Sequence, residues 1–145
     1  MDRRRKWNIA IFLMYALFML WLLFFRIRVP GDVRDIGQRL NLTPLHTIRL
    51  FWNLLSHPRP ALVRLAVVNL AGNILLFLPL GLLLPQAFQK APRLWKTLLT
   101  AALLICAVEI AQLLTLRGSC DVDDLILNLL GTLLGYGVFR LTVRT

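Results

Sequence analysis

The sequence predicts an all-α fold, a polytopic integral membrane protein built as a four-transmembrane-helix bundle with an amphipathic helix in the first extracytoplasmic loop. Three observations predict it. Long apolar runs at 7–25, 65–84, 98–116 and 125–139 fill most of the 145 residues. Hydrophobic residues make up 58% of the chain and its mean hydropathy is +0.69, too apolar for a water-soluble domain of this size. The polar residues inside the runs also sit at matching depths. Asn69 and Asn73 come early in the second run, Glu109 and Gln112 late in the third, and Asn128 early in the fourth. At 1.5 Å per helical residue, each lies within roughly 15 Å of the same membrane face.

The first run follows Arg3-Arg4-Arg5-Lys6 and so resembles a signal peptide at its start. It is longer than the apolar core of such a peptide, and no small-residue cleavage pattern follows. Trp21, Phe24, Phe25 and Arg26 close it with residues suited to a membrane interface, so a transmembrane helix at about 7–25 is expected. The segment between Arg26 and Pro60 is long for a structureless loop. Within it, Thr43-Pro44 reads as a helix cap followed by proline in the first turn. Leu45, Ile48, Trp52 and Leu55 then recur at helical spacing beside a polar stripe of His46, Arg49, Asn53 and Ser56. An interfacial helix at about 44–56 is expected, with a re-entrant segment as the competing reading.

The second membrane helix is expected at about 61–84, ending before Pro85 and kinked at Pro79, which frees the carbonyl of Leu75. A short basic connection with Lys90, Arg93 and Lys96 leads to the third, at about 94–116. The fourth, at about 122–142, opens on Asp121-Val122-Asp123-Asp124, where carboxylates cap free amides and meet the positive end of the helix dipole. All of residues 1–145 fall into one transmembrane domain, with no internal repeat. Its second, third and fourth helices form the core and the first packs peripherally, with close approach at Gly72, Gly131 and Gly135.

The formal charge of +10 would point to nucleic acid in a soluble protein, but the 17 basic residues flank or separate the apolar runs. No basic helix face or stacking platform accompanies them, so no nucleic-acid partner is expected. Basic residues divide almost evenly between the two faces. The dense N-terminal cluster, together with six of the seven acids on the opposite side, places both termini in the cytoplasm of a multi-pass plasma-membrane protein. Cys106 and Cys120 form no CxxC or Cys/His metal spacing, and structural thiols are expected.

The polar positions group by face. Asn69 and Asn73 are four residues apart, Glu109 and Gln112 three apart, and Asp121, Asp124 and Asn128 share one stripe. Asp123 points away from that stripe and reads as a simple cap. Arg117 lies about two turns beyond Glu109, within snorkelling reach of it. Interhelical hydrogen bonding accounts for the asparagines taken alone, and a solvated helix start accounts for the aspartates. Their convergence on one level argues for a functional pocket.

These residues carry a resemblance. Asn41-Leu42-Thr43-Pro44-Leu45, Asn69-Leu70-Ala71-Gly72-Asn73, Phe77-Leu78-Pro79-Leu80-Gly81, Glu109-Ile110-Ala111-Gln112, Arg117, Asp121-Val122-Asp123-Asp124, Asn128, Gly131 and Gly135-Tyr136 follow the order and spacing of the VanZ-like membrane protein family. Leu45 stands where that family more often has an aromatic residue. The resemblance implies a polytopic membrane protein, and its founding member is associated with low-level resistance to teicoplanin, a lipid-tailed glycopeptide.

Two functional classes follow. In the first, an outward pocket binds the polar head of a membrane lipid or lipid-linked envelope molecule through Asn69, Asn73, Gln112, Arg117 and Asn128, and so modulates the cell envelope or glycopeptide susceptibility. In the second, a membrane-embedded enzyme acts on a lipid-linked or cell-wall substrate, with Glu109, Asp121 and Asp124 as catalytic carboxylates or, for the two aspartates, ligands of a divalent cation. No nucleophile motif, HExxH, phosphate loop or dinucleotide fingerprint is present, so the enzyme reading rests on the carboxylates alone and its cofactor, if any, is unknown. A proton-coupled carrier is a weaker third option.

Overall fold

The computed structural model of the chain describes residues 3–26, 40–88 and 93–142. The first helix, α1 (Arg3–Trp21), runs into a π-helical turn, Leu22–Arg26. A short strand β1 (Leu40–Asn41) precedes α2 (His46–Leu54), and α3 (Pro60–Phe88) and α4 (Leu94–Leu114) follow. Strand β2 (Cys120–Asp121) leads directly into α5 (Val122–Thr142). Among the described residues four segments are long and apolar enough to cross a membrane: α1 extended to Phe25, α3, α4 and α5. The basic residues Arg28, Arg34, Arg39, Lys90 and Arg144, which flank or separate the apolar runs, lie outside the described residues.

Polarity of the helices follows from their contacts. The Arg5 guanidinium donates to the Ala87 carbonyl at 3.2 Å, so the start of α1 meets the end of α3, where a cation complements the negative end of the dipole. Helices α3 and α5 run parallel, since Ile74 meets Gly131 and Leu78 meets Gly135. They pack backbone against backbone. A Cβ added to Gly81 would collide with the Thr132 carbonyl, one on Gly131 with Ile74, and one on Gly135 with Leu78. Lipid offers apolar side chains as good an environment as a neighbouring helix does, so association in the bilayer depends on such close packing. Gly72, in contrast, faces open space. The close approach expected there is made by Gly81, because the face of α3 that meets α5 lies on the other side of the helix from Gly72.

The core contains Met19, Phe77, Leu80, Leu84, Ala101 and Ile105, with Phe12 and Tyr15 of α1 packed against it. Helix α1 is the least buried of the four spans and shows Trp7, Met14, Leu17 and Phe18 outward, as a lipid-facing helix does. It is nonetheless tied in by a polar contact in the middle of the span: the Tyr15 hydroxyl donates to the Leu76 carbonyl at 2.8 Å. Helix α3 does not stop at Pro85. It passes both Pro79 and Pro85 and ends at Phe88. Proline removes one donor but leaves the flanking bonds of the helix, and in the bilayer an unpaired backbone group is costly enough to favour continuing it.

The interfacial helix also begins later than its sequence signals. Thr43 is not its cap. The Thr43 amide donates to Asn41 Oδ1 at 3.1 Å, the turn closes from His46 to the Thr43 carbonyl at 3.4 Å, and Leu45 stands at the N-cap with φ 64°. Thr47, Ile48, Phe51, Leu54 and Leu55 form the half-buried face, while Trp52 is 67% exposed on the outer side. The inward stripe is therefore turned away from the one through Trp52 that apolar periodicity selects.

Candidate functional site

Two strands of two residues each bring the site together. β1 and β2 pair in parallel, with Leu40 opposite Cys120 and Asn41 opposite Asp121. This ladder holds the segment before α2 against the start of α5. Asn41 Nδ2 donates to both Asp121 carboxylate oxygens at 3.2 Å, and Thr47 Oγ1 donates to Asp121 Oδ2 at 2.6 Å. Asp121 Oδ1 also accepts the Asp123 amide at 2.8 Å, which makes Asp121 the cap of its own helix.

Asp123 does cap a helix, but a different one. It is wholly buried, and its carboxylate accepts the Leu45 amide at 2.6 Å and the Ile48 amide at 3.0 Å. Those are free donors at the start of α2, whose own N-cap position offers no side-chain oxygen. Asp124 faces the other way, toward α3, and accepts Asn73 Nδ2 at 2.6 Å. The three aspartates thus divide their work by helical angle: one caps α5, one caps α2 and one meets α3.

Glu109 reaches this cluster from α4. It is buried, receives a hydrogen bond from the Asp121 backbone, and has Asp124 and Asp121 as its charged neighbours. Its Oε2 has no hydrogen-bond partner, and neither does Asn69 Oδ1 or Asn128 Oδ1, although all three atoms are buried. Cys120 is half-buried beside the same group. Burial and then the Glu109 carboxylate push its thiol above the usual value. Both cysteines are free thiols. Among the described residues no group of three or more His, Cys, Asp or Glu is arranged to hold a metal ion.

Gln112 and Arg117 stand apart from the carboxylates. Gln112 Nε2 donates to the Leu23 carbonyl at 3.1 Å, and Arg117 Nη1 to the Phe24 carbonyl at 2.8 Å with its guanidinium 5.2 Å from the Phe25 ring centre. Arg117 is therefore directed toward the end of α1 and not toward Glu109. The chain path sets this. α4 ends in a Schellman turn, with Arg117 N bonded to Gln112 O at 3.0 Å, Leu116 N to Leu113 O at 3.2 Å, and Leu116 at φ 56°. That turn carries Arg117 away from the face bearing Glu109.

The structure brings together Asn73, Glu109, Asp121 and Asp124, and sets Asn69 and Asn128 on the helices that carry them. Asn41 and Thr47 join them, since both donate to the Asp121 carboxylate; in the sequence Asn41 stands out only within Asn41-Leu42-Thr43-Pro44-Leu45, and Thr47 not at all.

These features define a polytopic membrane protein whose helices gather an acid- and amide-rich polar cluster, with α2 held against it by Asp121 and Asp123. The chain matches the VanZ/LLP1 family profile over residues 12–143 and belongs to that family. No curated protein and no solved structure matches it in the corresponding comparisons.

Proposed function

We propose that the polar cluster is an outward-facing site for the polar head of a membrane lipid or lipid-linked envelope molecule, through which the protein modulates the cell envelope or susceptibility to glycopeptides such as teicoplanin. In this reading both termini are cytoplasmic and α2 lies at the outer surface of the plasma membrane. One observation carries it. Glu109 Oε2, Asn69 Oδ1 and Asn128 Oδ1 are buried acceptors without donors, and such groups are costly to keep inside a membrane protein unless something binds them. The acyl part of the ligand would lie along the apolar surfaces of the spans.

A membrane-embedded enzyme is the second reading, supported by the free oxygen of Glu109 beside Asp124. Glu109 is its candidate general acid or base. Asp121 has both oxygens engaged by Asn41 and Thr47, which suits a positioning residue better than a base.

Native mass spectrometry with lipid analysis of gently purified protein tests both readings. A specific co-purifying amphiphile supports binding, its chemical conversion supports catalysis, and loss of every lipid on mild exchange removes the site reading. Glu109→Gln keeps size and hydrogen bonding but removes the ionisable group. It is expected to abolish activity in a glycopeptide or envelope-stress assay at near-normal membrane levels, and full activity would eliminate acid–base chemistry.

A further inference from the structure

Apolar periodicity selects a stripe of α2 through Leu45 and Trp52, and the bundle leaves that stripe uncovered. Phe51 stands in the middle of the half-buried arc of Thr47, Ile48, Phe51, Leu54 and Leu55. At roughly 100° per residue, its neighbours Leu50 and Trp52 point to opposite sides of the helix. Leu45, two turns before Trp52, shares the Trp52 edge, and Leu45, Leu50 and Trp52 are all exposed. His46, Arg49 and Asn53 are exposed on the side opposite Phe51. Arg49 follows Leu45 by one turn and precedes Trp52 by one turn, so a cation borders the apolar edge.

The two ends of α2 fix how this edge is held. Its start is bound by Asp121 and Asp123 at the start of α5, and its end leads through 55–59 into the start of α3. Helices α3 and α5 are parallel, so their starts lie at the same end of the bundle and α2 reaches from one to the other across that end. Its apolar edges therefore point sideways, along the plane in which the spans begin, while its polar arc points away from the bundle.

Charge identifies the surface that meets the edge. The segment 40–64 contains Arg49, Arg59 and Arg64, all exposed, and no carboxylate. The neighbouring aspartates turn inward: Asp121 to Asn41 and Thr47, Asp123 to the amides of α2, and Asp124 to Asn73. A tryptophan-bearing apolar edge bordered by arginine, with no acid in its own segment, matches the glycerol and acyl layer beneath anionic head groups. An arginine stem can lie along that layer while its guanidinium reaches a phosphate.

We propose that the edge of α2 formed by Leu45, Arg49 and Trp52 docks on an anionic lipid surface, with Arg59 and Arg64 at the start of α3 meeting the same head groups. The proposal needs no ligand in the polar cluster, so it and the function proposed above stand or fall separately.

The full-length protein is placed in nanodiscs of phosphatidylcholine, or of phosphatidylcholine mixed with phosphatidylglycerol of matched acyl chains. Hydrogen exchange over 46–54 should be slower by at least about tenfold in the mixture. Arg49→Gln, Arg59→Gln and Arg64→Gln together should remove that difference. Equal exchange of the wild-type protein in the two lipids overturns the anionic surface, whether or not the variant folds, and a difference that survives the three substitutions overturns the assignment to these arginines.

Trp7→Phe, Trp21→Phe and Trp95→Phe together leave Trp52 as the single tryptophan. Its fluorescence should be quenched by phosphatidylcholine brominated near the head-group end of the acyl chain, and less by bromine at the chain terminus. Absence of quenching by either lipid overturns lipid docking. If that unquenched emission also shifts with protein concentration, the edge belongs to a second copy of the chain and the proposal falls.

Discussion

Asp123→Ala removes the cap of a helix that Asp123 does not belong to. The wild-type carboxylate is wholly buried and accepts the Leu45 and Ile48 amides at 2.6 and 3.0 Å. Hydrogen bonds to a charged acceptor contribute about 1.5 kcal/mol or more each, so their loss weakens the docking of α2 by about 3 kcal/mol. At 1.4 kcal/mol per factor of ten, this is roughly a hundredfold rise in the population of undocked α2. Hydrogen exchange in lipid nanodiscs reads it directly. Amide protection over 45–54 should fall by about two orders of magnitude while that of α3 and α5 is kept. Asp123→Asn, which retains an acceptor but not the charge, should fall between. Unchanged protection over 45–54 would show that Asp121, Asn41 and the apolar face of α2 hold it without this cap, and uniform loss across the bundle would show that Asp123 supports the fold as a whole.

Gly135→Leu should lower the melting temperature in detergent, because its side chain must enter the Leu78 backbone of α3; the overpacking cost is at least about 1–3 kcal/mol. Gly72→Ala should be neutral or stabilising in the same assay, since a Cβ there meets open space. The Cys120 thiol is raised, so its alkylation rate should climb only at higher pH than that of an ordinary thiol, and Glu109→Gln should move the profile back down. A profile unmoved by that change would show that the Glu109 carboxylate does not act on Cys120. With Cys106 and Cys120 replaced, a membrane-impermeant reagent should label a cysteine placed at Gln38 and spare one at Gln89; the reverse pattern would invert the proposed orientation.

Apolar runs of membrane-spanning length made the four spans legible in the sequence, and a helical repeat of 3.6 residues put Asp121, Asp124 and Asn128 on one stripe. The same period turned Asp123 away from that stripe, but its partners could not be read, because the amides it caps lie 78 and 75 residues earlier. Asn41 and Thr47 were hidden for the same reason, with Asn41 meeting Asp121 across 80 residues through a strand pair too short to leave a pattern. Rotation about the helix axis was the other thing periodicity could not supply. Glycines at 72 and 81 are equally suited to close approach, and only the placement of α5 selects Gly81. The direction of Arg117 depended on the left-handed turn at Leu116, a conformation that a leucine does not advertise.

The cap that α2 borrows from Asp123 also has a consequence in time. A chain emerging at roughly 5–20 residues per second makes Leu45 about 4–16 s before Asp123, and α3 and α4 are synthesised in between. During that interval α2 has neither its cap nor the strand partner of β1, and the two spans that follow enter the membrane before α2 can dock. Insertion of α5 is the event that supplies both at once. A chain interrupted before α5 would display an undocked α2, a state that a membrane protease can distinguish from the finished protein.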